Sequence, residues 1–319
     1  MSSRPPDVGT LAGQLEARLP SGRVRRQVPF ASLTTYRLGG PIAVLAEVHD
    51  DDELLEVARI TRDLRPRLLV IGRGSNLLVA DRGFDGLALV LTGDFESVEV
   101  SEGLVLAGSA TPLPVLARRS AALGRTGLEF FVGIPGSVGG AVAMNAGGHG
   151  HDTDEVLVRA WTTDLLGDAE LVERPLESLA LGYRDSSLRR SEVVVAAEFG
   201  VSVDDPVACQ ARIEEIVRWR RTHQPGGANA GSVFRNPDGD SAGRLIDACG
   251  LKGLRIGGAL VSGKHANFIQ AEAGATAADL RALVFEVQRR VLDQTGIRLE
   301  PELRMVGFEE TSEGEPVRR

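Results

Sequence analysis

Cysteine is scarce in this chain: Cys209 and Cys249 are the only two in 319 residues. Both fall in helix-like patterns, so buried thiols are expected rather than a disulfide, which suits a reducing compartment. Long apolar runs are missing too. None reaches the ~20 residues a membrane helix needs, so no membrane partner is expected. Met1–Pro20 has no apolar core of the signal-peptide kind. A cytoplasmic protein is expected. Excess positive charge is also absent. The formal net charge is −8, which argues against nucleic-acid binding and means that an anionic substrate would need a local cationic pocket. No internal repeat or low-complexity tract interrupts the chain.

Glycine is plentiful, at 38 residues against about 22 from a ~7% average. Such a chain has many places where backbone turns tightly or approaches a ligand closely. Hydrophobic residues make up 43% and charged residues 25%, as in ordinary globular proteins. The length allows two or three domains.

Residues 1–26 are weakly patterned, with one short helix expected around Leu11–Leu19. Ala43–Val48 reads as a strand. Asp50–Asp52 then opens a helix with an apolar face (Leu54, Leu55, Val57, Ala58, Ile60), and Leu68–Ile71 is a buried strand. Residues 43–72 therefore form a βαβ-like unit. Short apolar runs follow at Leu77–Ala80, Leu87–Leu91 and Leu104–Ala107. A helix runs from Thr111-Pro112 to Gly124, and strands are expected at Val156–Thr163 and Val193–Val203. Composition shifts at Val203-Asp204-Asp205-Pro206, where a domain boundary is placed near 204. Beyond it come a helix to His223, a Gly/Pro/Asn-rich loop at Gln224–Gly231, a short helix from Ser241 to Gly250, and a helix opened by Thr276 and Asp279 as a capping box. The expected organisation is an extension (1–26), an α+β domain (27–203) of two subdomains divided near 95–110, a second α+β domain (204–308) and a polar tail (309–319).

Two glycine clusters suit phosphates. In Gly72-Arg73-Gly74-Ser75-Asn76-Leu77, backbone N–H groups can curl around an anion while Ser75 and Asn76 add donors. Leucine at 77 breaks the Rossmann pattern, and a tight strand–strand turn is the alternative. The second cluster is Gly133-Ile134-Pro135-Gly136-Ser137-Val138-Gly139-Gly140, followed by Asn145-Ala146-Gly147. A helix starting near Ser137 could aim its N-terminus at a pyrophosphate; the alternative is a Gly-rich turn packing two sheets together. His149-Gly150-His151-Asp152 reads as a polar turn, because no further His or Cys cluster completes a metal site; no metal is expected. Gly258–His265 approximates a Walker A loop, but His265 stands where Ser or Thr must bind Mg²⁺.

Four further groups complete the chemical inventory. Tyr183-Arg184 presents a guanidinium fork for a carboxylate or phosphate, or a packed surface arginine. Arg218, Arg220, Arg221 and His223 can neutralise a diphosphate, or suit a helix C-terminus. Gly231-Ser232-Val233-Phe234-Arg235-Asn236-Pro237 holds one hydroxyl beside a glycine, then a cation, an amide and a proline, a grouping for a proton donor in an anion-gripping pocket. Glu300 and Glu302 flank Pro301, and as alternate strand residues they would share a face; two solvated carboxylates are the alternative.

Taken in order, Gly72–Leu78, Gly133–Ala141, Tyr183-Arg184, Asn229–Pro237 and Ser262–Ile269 resemble the UDP-N-acetylenolpyruvoylglucosamine reductase family from about Thr34 to Phe308. The resemblance implies a two-subdomain FAD-binding module of the vanillyl-alcohol-oxidase/PCMH-like kind, with FAD held non-covalently. A C-terminal α+β domain would close over a UDP-sugar. NADPH would reduce the flavin, and the reduced flavin would pass a hydride to an enolpyruvyl double bond in peptidoglycan precursor synthesis. By motif, Arg184, Ser232 and Glu302 take the catalytic positions. Leu303 stands where valine is more usual, and Glu300 lies two residues away. The glycine clusters, with Asn145 and Gly147, would bind the cofactor. Tyr183, Arg220, Arg221, His223, Gln224, Arg235, Asn236 and His265 would meet the substrate. Having only Tyr36 and Tyr183, the chain resembles the family's form without a tyrosine-bearing lid, and His223, Gln224 and His265 are candidates to replace it. A monomer is expected. A flavin-dependent oxidase on the same scaffold is the competing enzyme, and a non-catalytic nucleotide-sugar-binding protein the competing non-enzyme.

Overall fold

The computed structural model describes residues 7–308; the polar tail at 309–319 and the first six residues of the extension lie outside them. The chain divides into two compact units. One takes the described residues up to Val28, then Ala43–Ser75 and Gly86–Gly226. The other takes Pro29–Ile42, Asn76–Asp85 and the described chain from Gly227.

The first unit contains two sheets. One has the strand order Val24–Pro29, Pro41–Val48, Phe84–Leu91, Leu68–Ile71. Leu68–Ile71 pairs in parallel with Leu87–Val90, so the βαβ-like unit leaves a gap that a later strand fills. Helix α1 (Val8–Arg18) and helix α2 (Asp51–Leu64) accompany it. The Asp50 side chain accepts from the Glu53 N–H at 2.8 Å, and Asp51, Asp52 and Glu53 fill the first turn of α2, where negative charge suits the helix dipole. Leu54, Val57 and Ala58 are buried on its inner face with Leu11 and Leu15 of α1 and Val44, Ala46 and Leu87 of the sheet.

The other sheet is antiparallel, in the order Val172–Pro175, Leu157–Asp164, Glu192–Gly200, Leu104–Gly108, Val98–Val100. The strand expected over Val193–Val203 breaks at Val201, and its end, Ser202–Val203, pairs with Arg125–Thr126 instead. Helix α4 (Val138–Met144) packs on this sheet, while α3 (Leu113–Ala122) and α5 (Pro206–His223) pack on each other and on the turn Glu129–Gly133, sharing the same core.

The compact division differs from the boundary placed near 204. The Asp205 carboxylate accepts from the Val207 N–H at 3.0 Å, so Asp205 and Pro206 do start α5. Cys209 and Ile213 of α5 are fully buried in the first unit's core with Leu116 and Phe131. The apolar face of the helix holds it there, and the division falls after Gly226.

The second unit carries the sheet Ala228–Ser232, Phe268–Ala271, Ala259–Val261, Arg255–Ile256, antiparallel throughout, with helices α6 (Ala242–Ala248) and α7 (Ala277–Thr295). Both halves of the Thr276/Asp279 capping box form. Two early segments that the sequence placed in the first domain belong here. Leu77–Val79 pairs in parallel with Arg304–Val306, and the Asp81 carboxylate accepts from Ala277 and Ala278 N–H at 2.9 and 3.0 Å. A carboxylate there satisfies otherwise orphaned helix donors. Cys209 is buried and Cys249 half-buried, both as free thiols. Among the described residues no helix is long and apolar enough to cross a membrane.

Candidate active site

In the first unit, the two glycine clusters meet. Gly72 opens the turn leaving strand Leu68–Ile71, and a Cβ placed on it would lie 2.5 Å from Ser137 Oγ, closer than non-bonded atoms tolerate. Gly74 adopts φ +59°, a left-handed conformation glycine enters without strain. A Cβ on Gly136 would sit 3.9 Å from Ser75 Oγ. Ser137 is 3% exposed, and its hydroxyl makes no capping bond to α4. A side-chain-free floor with the Ser75 and Ser137 hydroxyls at its edge fits the phosphates of a dinucleotide, so the residues present suit FAD.

The remaining members of the clusters have structural duties. The N–H groups of Val138 and Gly139 donate to Thr111 and Ser109 carbonyls at 3.0 and 2.8 Å. The expected use of that helix end for a pyrophosphate therefore loses two of its donors. A Cβ on Gly139 would be 3.0 Å from Ser109 Cβ, the sign of close helix packing. Asn145 is 2% exposed, and both ends of its amide are engaged: Nδ2 donates to Gly182 O at 3.1 Å and Oδ1 accepts from Asp154 N–H at 2.9 Å. A Cβ on Gly147 would collide with the Asp152 carboxylate.

Tyr183 and Arg184 form the tip of a tight turn closed by Gly182 and Asp185, with Arg184 at φ +56°. Arg184 Nη1 donates to Asn145 O at 3.2 Å and Asp152 Oδ1 at 3.0 Å, and Nη2 donates to Gly147 O at 3.1 Å. The guanidinium lies 5.0 Å from the Tyr183 ring centroid, within cation–π range. Its side chain is only 16% exposed. The three groups considered for a metal diverge: Asp152 meets Arg184, His151 Nδ1 pairs with Glu155 at 2.7 Å, and His149 sets its ring edge-on to Trp219.

The basic end of α5 splits. Arg218 and Arg221 line a groove with Arg118, whereas Arg220 is half-buried, with Nε donating to Gln224 Oε1 at 2.8 Å. Burial lowers the Arg220 pKa, though a guanidinium stays protonated. Burial first, and then the Arg220 charge, push His149 below the ordinary histidine value. His223 stacks on Trp219 at 4.5 Å.

In the second unit, Ser232 follows a β-bulge. Asn229 pairs with Gln270 and Ser232 with Phe268, so one extra residue is accommodated, and Gly231 takes φ +73°. Bulges re-aim side chains beside active sites, and Ser232 is left exposed. Gly231 N–H donates to Asn229 Oδ1 at 3.0 Å. Glu300 and Glu302 do not sit in a continuous strand; they flank an isolated bridge between Pro301 and Phe234. Arg235 N–H donates to Glu300 O at 2.9 Å and Glu302 N–H to Val233 O at 2.8 Å. Glu302 is half-buried and Glu300 exposed. The Glu302 carbonyl accepts from Asn76 Nδ2 at 3.1 Å, and Arg304 N–H donates to Asn76 O at 3.0 Å. Asn76, expected at a phosphate, thus braces the glutamate segment.

Asn236 Oδ1 accepts from Ala242 N–H at 3.1 Å, beside the start of α6. His265 Nδ1 accepts from Asn267 N–H at 3.3 Å. Asn267, which drew no separate attention in the sequence, is 3% exposed and grips Phe234 through both ends of its amide. Its signal was a polar residue inside the apolar run Ala266-Asn267-Phe268-Ile269, where burial demands partners.

The family model described as FAD binding domain matches residues 41–170. That described as UDP-N-acetylenolpyruvoylglucosamine reductase, C-terminal domain, matches residues 223–306. A UDP-N-acetylenolpyruvoylglucosamine reductase of Synechococcus sp. (strain WH7803) is 43% identical over 95% of this chain and 99% of its own length. One from Chloroflexus aurantiacus is 42% identical over 87% of this chain and 96% of its own. The crystal structure of the Thermus caldophilus enzyme superposes with a TM-score of 0.78 at 36% identity, covering 89% of this chain and 99% of that one. With relatives this similar along nearly their whole length, the chain belongs to the UDP-N-acetylenolpyruvoylglucosamine reductase family, FAD-dependent oxidoreductases of peptidoglycan synthesis.

Proposed function

We propose that this chain reduces UDP-N-acetylglucosamine enolpyruvate to UDP-N-acetylmuramate, with NADPH as reductant and Ser232 as proton donor. The chemistry that FAD supplies when bound is a hydride relay from NADPH to the far carbon of the enolpyruvyl double bond. Negative charge then develops on the near carbon and its carboxylate. Arg184 is the cation assigned to that charge, its plane held by the Asn145 and Gly147 carbonyls and by Asp152. Preorganised charge of this kind costs no reorganisation during reaction. Ser232 protonates the near carbon from its Oγ, a step a positioned donor accelerates by typically 10²–10⁴-fold. Glu302, whose N–H is bonded to Val233 O beside Ser232, orients the hydroxyl or a water. Gly72, Gly74, Ser75, Gly136 and Ser137 cradle the cofactor phosphates. Arg220 supplies the charge for the UDP diphosphate, with Gln224 and His223 beside it as hydrogen-bonding groups, and His265 and Arg235 complete the substrate contacts.

One chain carries all three catalytic groups, so a monomer working in the cytoplasm suffices. The observation that carries this reading is the Gly231–Ser232 bulge, which places a lone exposed hydroxyl in the segment that also bonds Glu302. The test is anaerobic mixing of the purified protein with NADPH. Rapid bleaching of a bound flavin's yellow absorption is expected. Persistent colour, with reduction only by an alcohol or amine, would support an oxidase instead.

A further inference from the structure

Ser232 and Glu302 both depend on the segment Val233–Phe234. Val233 N–H donates to Asn267 O at 2.9 Å, and Val233 O accepts from Glu302 N–H at 2.8 Å. The backbone ladder with strand Phe268–Ala271 ends at the pair Ser232–Phe268. One residue further, the Asn267 side chain continues it. Its Oδ1 accepts from Phe234 N–H at 2.9 Å, and its Nδ2 donates to Phe234 O at 2.8 Å. This amide imitates a strand partner for a single residue. It is buried, so breaking either bond strands a polar group away from water.

We infer that Asn267 is a positioning residue for proton delivery: it fixes the backbone immediately after Ser232, and through Val233 the backbone at Glu302. This rests on the assignment of Ser232 as proton donor. Without the clamp, the end of the bulge is free to adjust, and the hydroxyl loses its aim. Misplacement of a reacting group by about 1 Å can cost on the order of 10²-fold in rate. The Asn267 bonds run to Phe234, His265 and Val233, all within the second unit, so the flavin half-reaction should be spared.

The experiment uses the full-length flavin-loaded enzyme carrying Asn267→Asp, which keeps size and one acceptor, or Asn267→Leu, which removes both bonds. Ser232→Ala is the comparator. Flavin content, reduction by NADPH, and reoxidation by UDP-N-acetylglucosamine enolpyruvate are measured separately. For Asn267→Asp, flavin content and reduction are expected within about twofold of wild type. Reoxidation should fall on the order of 10²-fold, with the loss in kcat rather than KM, as when an interaction made in the transition state is removed. Backbone amide exchange at Val233 and Phe234 should speed up in the same variant. Asn267→Leu should show the larger loss where it folds; Asn267→Asp decides the matter where it does not. Wild-type reoxidation in Asn267→Asp beside a slow Ser232→Ala would overturn the inference while leaving the serine assignment intact. Parallel loss of flavin, reduction and reoxidation would also overturn it, since that is the signature of general destabilisation. Wild-type reoxidation in Ser232→Ala would instead remove the assignment on which the inference stands.

Discussion

Arg184→Lys separates a guanidinium that stabilises developing charge from one that merely holds a loop. Arg184 spans the Asn145 and Gly147 carbonyls and Asp152 with two nitrogens, a spread that a compact ammonium cannot reproduce. At least one hydrogen bond from a charged donor is lost, and such bonds contribute about 1.5–3 kcal/mol each. The side chain is 16% exposed, so water compensates little. If that energy is felt in the transition state, reoxidation of the reduced flavin by substrate slows by about 10–100-fold, at 1.36 kcal/mol per tenfold. The assay is anaerobic stopped-flow absorption of each half-reaction, with flavin stoichiometry measured on the same preparation. Flavin content and NADPH-driven reduction should stay near wild type. An equal loss of bound flavin would show that Arg184 serves the cofactor loop, and unchanged reoxidation would remove it from the chemistry altogether.

Other consequences follow from the same geometry. Gly72→Ala places a methyl 2.5 Å from Ser137 Oγ and should raise the FAD dissociation constant by about tenfold or more; adding Ser137→Ala should recover part of that loss, read by flavin titration. Backbone hydrogen bonds from Thr276 and Gly258 lower the Asp279 pKa below its ordinary 3.8. A depressed carboxyl contributes stability that is full above about pH 4 and is lost as pH falls through its folded value. Asp279→Asn should therefore flatten the acid limb of an unfolding-versus-pH curve, and an unchanged limb would refute the capping account. Chelator treatment should leave turnover unchanged, because His149, His151 and Asp152 face three different partners; loss of activity restored by a divalent ion would contradict that.

Periodic elements were legible from residues alone. The helices from Asp51, Pro206 and Ala277 and the strand Leu68–Ile71 follow apolar spacing and caps that act locally. What was hidden depends on contacts distant in sequence. Asp205-Pro206 signals a helix start, but only the burial of Cys209 and Ile213 against Leu116 shows which core that helix joins. Asn76 lies in a glycine-rich turn suited to phosphate, yet its amide meets a backbone carbonyl 226 positions away. The basic run at 218–223 reads as one patch, although helical geometry turns Arg218 and Arg221 away from Arg220. Asn267 was legible as a buried polar residue in an apolar run, but its partner Phe234 was not.

The central claim is tested most directly by adding UDP-N-acetylglucosamine enolpyruvate to the enzyme after anaerobic reduction with NADPH. Return of the yellow absorption, with UDP-N-acetylmuramate formed in step with flavin reoxidation, is the predicted result. A flavin that stays reduced until oxygen is admitted, with the enolpyruvyl compound recovered intact, would contradict it.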